Sequence, residues 1–383
     1  MELWVHGLPQ DRNAALETLK RLGVSNLVTG GNPEIIAQAV EAGLAVYPCT
    51  HAYGIRKDDP QELLCLTIEG ERRPWFNSNC PSHPEVQKRH LERVKELAGI
   101  PGIKGVFIDG ARFASPASGI DVFFTCFCQE CKVRAERFGL DFDRMQRDVA
   151  SLYSGLPRFL TEQFGPRSTR LTGFPAATDL LAFAVQLPGV YDWFRFRALA
   201  TSEHMRQVRE VLKAENPALS LGMYVFTPCL SPLVGQLYPM LAEHVDIVAP
   251  MIYRNGPANS IAPLNSELAR MWQDLGQAGG LNAEDAAAVV LSLAGYEALI
   301  TEHSPDTLAQ AMPPLAVQRE TASARALLGS EKRLAPIIWL NDDEIERCTR
   351  AVRDAGADGV NFYTYRDSGA QTFLERAVAA LRT

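Results

Sequence analysis

Two groups of residues close together in the chain carry chemistry of different kinds. The first is Asp109 with Arg112, at the end of the apolar run Gly105–Ile108. A carboxylate placed directly after buried strand residues is too costly to bury uncompensated, so it must be paired or put to use. As a working group it would be a nucleophile, acid or base; as a structural one it would be ion-paired, with Arg112 the nearest partner. The second group is Cys126, Cys128 and Cys131, a Cys-x-Cys-x2-Cys cluster. Thiolates at this spacing are good Zn²⁺ ligands, and a closed structural site takes four. Cys80 is the preferred fourth ligand, because Asn79-Cys80-Pro81 reads as a turn close before the same strand; Cys49 is the alternative. The remaining cysteines, Cys65, Cys229 and Cys348 among them, read as packed apolar residues. No organic cofactor is expected, as the sequence has no glycine-rich phosphate loop, and the lack of a His-x-His pair argues against amidohydrolase-type metal chemistry.

The elements that would hold these residues repeat a strand–helix unit. Apolar runs at Leu3–Gly7, Asn26–Gly30, Leu44–Ala52 and Gly105–Ile108 alternate with helical stretches, as do runs at Leu219–Thr227, Asp246–Tyr253, Leu334–Asn341 and Asp358–Tyr365. Crossover helices imply parallel strands, and eight such units imply a (β/α)8 barrel. The stretch 286–295 could be a ninth strand, but Asn282-Ala-Glu-Asp ahead of it has the form of a capped helix start, and a helix is preferred. A plain barrel needs about 250 residues, whereas this chain has 383. The surplus falls into a long excursion after strand three (53–84) and helical insertions after strands four (114–190) and six (255–330), all within one barrel domain, 1–383.

In this fold functional residues gather at the C-terminal ends of the strands. Those positions give His6, His51, Asp109, Arg112, Tyr253, Arg254, Asn255, Trp339, Asn341, Asp342, Tyr363 and Tyr365. Aromatic faces with amides, imidazoles and a few charges suit a small carbohydrate or glycoside. Glycosidic cleavage ordinarily needs a second carboxyl group. Asp342 is the best placed, although Asn-Asp-Asp also reads as a helix cap; Glu69, Glu71 and Asp367 are further options. Asp246 and Asp358 stand at strand beginnings and read as structural.

Composition narrows the classes. Apolar residues make up 46% and charged residues 22% of the chain, and the net charge is −7, which gives no attraction to nucleic acid or anionic membrane. No run reaches the roughly 18 apolar residues of a membrane span. Without a secretion signal, eight cysteines read as reduced thiols in a cytoplasmic protein, and a homo-oligomer is left open.

A resemblance adds to this reading. A cysteine after a barrel excursion, followed by Cys-x-Cys-x2-Cys after strand four, resembles the structural zinc site of family-42 β-galactosidases, which implies Cys80, Cys126, Cys128 and Cys131 as ligands. Asp109 with Arg112-Phe113, the run Trp193–Arg197, Pro250–Tyr253 and Gly356–Val360 resemble the wider group of glycoside-hydrolase-like barrels. That family carries Asn-Glu at strand four and Glu at strand seven; this chain has Asp109-Gly110 and Asn341-Asp342. The expectation is a glycoside hydrolase centred on Asp109, with a carbohydrate-binding barrel that does not cleave, or a lyase or isomerase on the same fold, as alternatives.

Overall fold

Strands that are buried on both faces need near-continuous apolar runs, and sequences such as Leu-Trp-Val and Ile-Val-Ala-Pro-Met supply them. The computed structural model describes residues 1–164, 177–256, 264–279, 281–296, 311–367 and 369–382. Eight parallel strands close into a barrel: β1 (Glu2–His6), β2 (Asn26–Thr29), β3 (Ala45–His51), β4 (Gly105–Asp109), β5 (Ser220–Phe226), β6 (Ile247–Met251), β7 (Ile337–Trp339) and β8 (Gly359–Tyr363). Each pairs with its neighbour in sequence order. β8 pairs with β1, and the Ile337–Met251 contact of β7 with β6 completes the ring. The register sets His6 beside Tyr363 and His51 beside Asp109.

Two apolar layers hold this ring. Inside, Trp4, Tyr47, Phe107 and Tyr224 stack edge to tilt, with centroids 4.8–5.9 Å apart, and fill the barrel below its mouth. Outside, Leu, Ile and Val side chains of strands and helices form the larger cluster. Asp246 and Asp358 tie strand beginnings together: Asp246 accepts from Leu221 N and Arg209, and Asp358 from Leu334 N and Arg325.

Within 53–84 the regular structure is a short 3-10 turn, Gln61–Leu63, and a two-residue antiparallel pair, Cys65–Leu66 with Arg72–Arg73. Within 114–190, Ala177–Gln186 is helical, as its leucine and alanine residues favour. Pro166 and Pro175, and the stretches 257–263 and 297–310, lie outside the described residues. The stretch 286–295 belongs to a helix, Ala283–Ala294, capped by the Asn282 side chain and ended by Gly295. No helix among the described residues is long and apolar enough to cross a membrane.

Candidate functional site

The barrel mouth holds a cavity of about 300 Å³, the lower end of the range for ligand pockets. Of the residues expected there, His6, His51, Asp109, Arg112, Tyr253 and Tyr363 line it. Asp109 is half-buried at the end of β4, and its Oδ1 accepts the Gly110 N–H at 2.7 Å. It forms no ion pair with Arg112, whose Nη1 donates to the Phe113 carbonyl at 3.1 Å. Arg112 lies over the Phe226 ring at 4.3 Å and the Trp75 ring at 4.8 Å. Asp109 is the one carboxylate among the residues that line the cavity.

The two imidazoles are neutral at pH 7. Burial, helped by the Arg366 guanidinium, holds His6 down at about 4, and its Nδ1 shares a 3.0 Å hydrogen bond with the Tyr224 hydroxyl. Burial also lowers His51; the Asp109 charge opposes this and the Arg112 charge assists it. Neither ring nitrogen of His51 has a hydrogen-bond partner among the described residues, though both are buried. A buried polar group left unpaired is expensive, so a ligand or water in the cavity is the natural partner. Tyr253 and Tyr363 pack 5.4 Å apart with tilted rings, and Tyr363 also meets the His6 ring at 5.1 Å.

The other expected residues stand elsewhere. Asp342 is buried, and Arg254 grips it with Nε and Nη2 at 2.6 and 2.5 Å, while Asp342 Oδ1 also accepts Glu344 N. Neither Arg254 nor Asp342 lines the cavity. Trp339 is half-buried and meets it through Tyr363, 5.9 Å away. Asn341 is exposed. Tyr365 packs into the layer between barrel and helices. Asn255 is half-buried, and its Oδ1 has no partner among the described residues.

Three contributors were not expected: Tyr224, Phe76 and Glu267. Tyr224 and Phe76 line the cavity. Tyr224 sits inside β5 rather than at its end, so a reading of strand termini passes over it. Glu267 is fully buried behind Arg112; it accepts from Ser115 Oγ at 2.8 Å and Ala117 N at 3.2 Å, and burial pushes it up to about 7. The signal was present: with Leu264, Leu268 and Met271 it follows the i, i+3, i+4, i+7 stripe that faces a core.

Beside this mouth, Cys80, Cys126, Cys128 and Cys131 converge, all buried, with their sulfur atoms within 4.8 Å of one another. Tetrahedral metal–sulfur bonds of about 2.3 Å would set sulfurs about 3.8 Å apart; Cys80 stands 3.7 Å from Cys128 and 3.6 Å from Cys131. None is in a disulfide. The surroundings supply donors and positive charge. Leu66 N–H donates to Cys126 Sγ at 3.2 Å, and Cys128 and Cys131 sit at the N-terminal end of the helix Gln129–Arg137. Arg197, wholly buried, donates to the carbonyls of Phe123 and Thr125, stacks on Trp193 at 3.7 Å and has no carboxylate partner among the described residues. Burial lowers it to about 9, and the charges of Cys65, Cys126 and Cys131 oppose this. Cys65, expected to be simple packing, is thus part of the cluster's surroundings, and Cys49 lines the mouth cavity instead.

No protein-family model matches the sequence, and no curated protein matches it. Solved structures do. The glycoside hydrolase domain of PgaB (BpsB) from Bordetella bronchiseptica aligns with a TM-score of 0.57 at 14% identity over 98% of each chain. A β-galactosidase from the psychrophilic Marinomonas ef1 aligns at 0.58 and 12% identity, over all of this chain and 59% of that one. The catalytic domain of β-amylase from Paenibacillus polymyxa aligns at 0.54 and 12% identity, over 100% and 98%. This chain therefore spans about three fifths of the β-galactosidase but nearly all of the other two. At such identities the likeness is one of fold: a closed eight-stranded parallel barrel with helices.

Proposed function

We propose that this barrel is a carbohydrate-active enzyme, a glycoside hydrolase in which Asp109 is the reacting carboxylate. The observation that carries this reading is the half-buried Asp109 carboxylate in the mouth cavity, faced by the Tyr253–Tyr363 aromatic pair and by the neutral imidazoles of His6 and His51. Sugar rings present apolar faces to aromatic rings and hydroxyls to polar groups. Arg112 lines the same cavity and can bind a substrate oxygen. The fold likeness to carbohydrate-cleaving enzymes supports the reading as analogy. The four cysteines hold one structural Zn²⁺, which pins the excursion after β3 to the loop after β4 and takes no part in bond cleavage. The test is a panel of aryl glycosides: hydrolysis by the wild type and its loss in Asp109→Asn, with the fold retained, is the expected result. Full activity in Asp109→Asn would sink the assignment.

A second reading has its own observation. Glycosidases ordinarily use two carboxyl groups, and the cavity wall offers Asp109 alone. A barrel that binds carbohydrate without cleaving it would give saturable sugar binding by calorimetry and no hydrolysis of any glycoside in the panel.

A further inference from the structure

A neutral sugar does not account for the charge at the mouth. Arg112 is 3% exposed, yet no carboxylate stands at ion-pair distance from it among the described residues. Among the described residues its side chain makes one hydrogen bond, to the Phe113 carbonyl, and its face is covered by Phe226 and Trp75. Burial draws it down only to about 10, with Glu267 and Asp109 opposing, so it remains a cation at neutral pH. Glu267, behind it, is occupied by Ser115 and Ala117 and does not reach the cavity. A second guanidinium, Arg366, lines the same cavity, is exposed, and has no ion-pair partner among the described residues. It lies against Gly7, where a Cβ would stand 3.1 Å from Arg366 Cγ; the φ of +88° at Gly7 and its missing side chain keep that place open.

Against these two cations the cavity offers one carboxylate, Asp109, and two neutral imidazoles. A surplus positive charge therefore faces the ligand, in a chain whose net charge is −7. An unpaired buried cation destabilises a protein unless something compensates it, and the planar fork of arginine matches carboxylate or sulfate oxygens two at a time.

We propose that Arg112 and Arg366 form an anion subsite beside Asp109, and that the ligand is a sugar carrying an anionic substituent, a carboxylate or a sulfate ester. This rests on the carbohydrate reading given above. Calorimetry with 4-nitrophenyl gluco- and galactosides, the matching uronides and the matching 6-O-sulfates tests it. One anionic series binds at least about tenfold tighter than its neutral parent, and which series does so identifies the anion. Arg366→Ala, a surface substitution that leaves the core untouched, reduces this preference at least about fivefold, and Arg112→Gln does the same if it folds. Neutral glycosides that bind as tightly as both anionic series overturn the subsite while leaving the carbohydrate reading in place. A preference that persists in Arg366→Ala overturns it too. If no member of the panel binds, the carbohydrate reading itself falls and the subsite with it.

Discussion

Gly110 leaves the space that the His51 imidazole fills: a Cβ at position 110 would lie 2.3 Å from His51 Nε2, and the backbone there has φ +69°. Glycine after Asp109 is therefore required twice, by conformation and by contact. Gly110→Ala is expected to destabilise the fold by about 1–2 kcal/mol through the left-handed backbone alone. It should also push the His51 ring out of the cavity and weaken sugar binding. Thermal melts and calorimetry on the same variant check both effects; ligand affinity equal to wild type would show that the ring does not face the ligand.

Asp109→Asn keeps the size of the side chain and can still accept the Gly110 N–H bond, so its stability should change little. Its charge and proton chemistry are gone. If Asp109 acts as acid, base or nucleophile, kcat falls by about 10²–10⁴-fold, the range for loss of one such group. Steady-state rates on the responsive glycoside, beside circular dichroism of the variant, make the comparison.

The barrel was legible in the sequence because its strands are buried on both faces, so Ile247–Met251 and its counterparts read as short apolar runs. The cysteine cluster was legible because three thiols lie within six residues, although the link to Cys80 spans a stretch of little regular structure. What spacing cannot supply is side-chain direction at the barrel mouth. Asp342 and Asp109 both follow core strands. Yet Asp342 turns back to bind Arg254 and to accept the Glu344 N–H just ahead of a helix, while Asp109 stays at the cavity. Tyr365 is two residues from Tyr363, but it packs outward against the helical layer. Glu267 was hidden for another reason: it comes from a helix far along the chain, and only the closed fold brings it behind Arg112.

Loss of one thiol should remove the metal. Zinc is expected at about one ion per chain after gel filtration, measured by elemental analysis, and absent in Cys128→Ser. Losing a structural metal belongs to the class of changes that destabilise by about 4 kcal/mol or more, and it leaves the buried Arg197 without compensating negative charge. Wild-type protein with no zinc, expressed in medium containing it, would remove the metal from this account.

Arg254 and Asp342 have side chains only 7% and 3% exposed. Removing one member of such a pair leaves the other charge buried, which destabilises by about 3–5 kcal/mol; because Arg254 keeps a second carboxylate, Glu344 Oε2 at 3.1 Å, the loss in Asp342→Ala lies toward the lower end of that range. Asp342→Ala should therefore melt well below wild type, and Arg254→Met with Asp342→Leu should recover part of the loss. If Asp342 serves as a clamp, the folded double variant keeps its turnover. If it is the second catalytic carboxyl, turnover vanishes while stability returns, so the pair of measurements separates the two roles.

Glu267 gives a pH dependence whose sign can be worked out. Burial raises its folded-state pKa from 4.5 to about 7, with the Arg112 charge and the bonds from Ser115 and Ala117 opposing. The folded chain thus holds a proton that the unfolded chain releases between those values. The stability this contributes is fully present below about pH 4.5 and is lost as pH rises through about 7. The size is on the order of 3 kcal/mol at one pKa unit per 1.36 kcal/mol. Glu267→Gln cannot ionise, so its stability relative to wild type should climb between pH 5 and about pH 7 and level off by pH 8. Parallel denaturant titrations of the two proteins at pH 5, 6, 7 and 8 measure the difference, and a gap that does not change with pH would mean that Glu267 is ionised throughout and paired with Arg112.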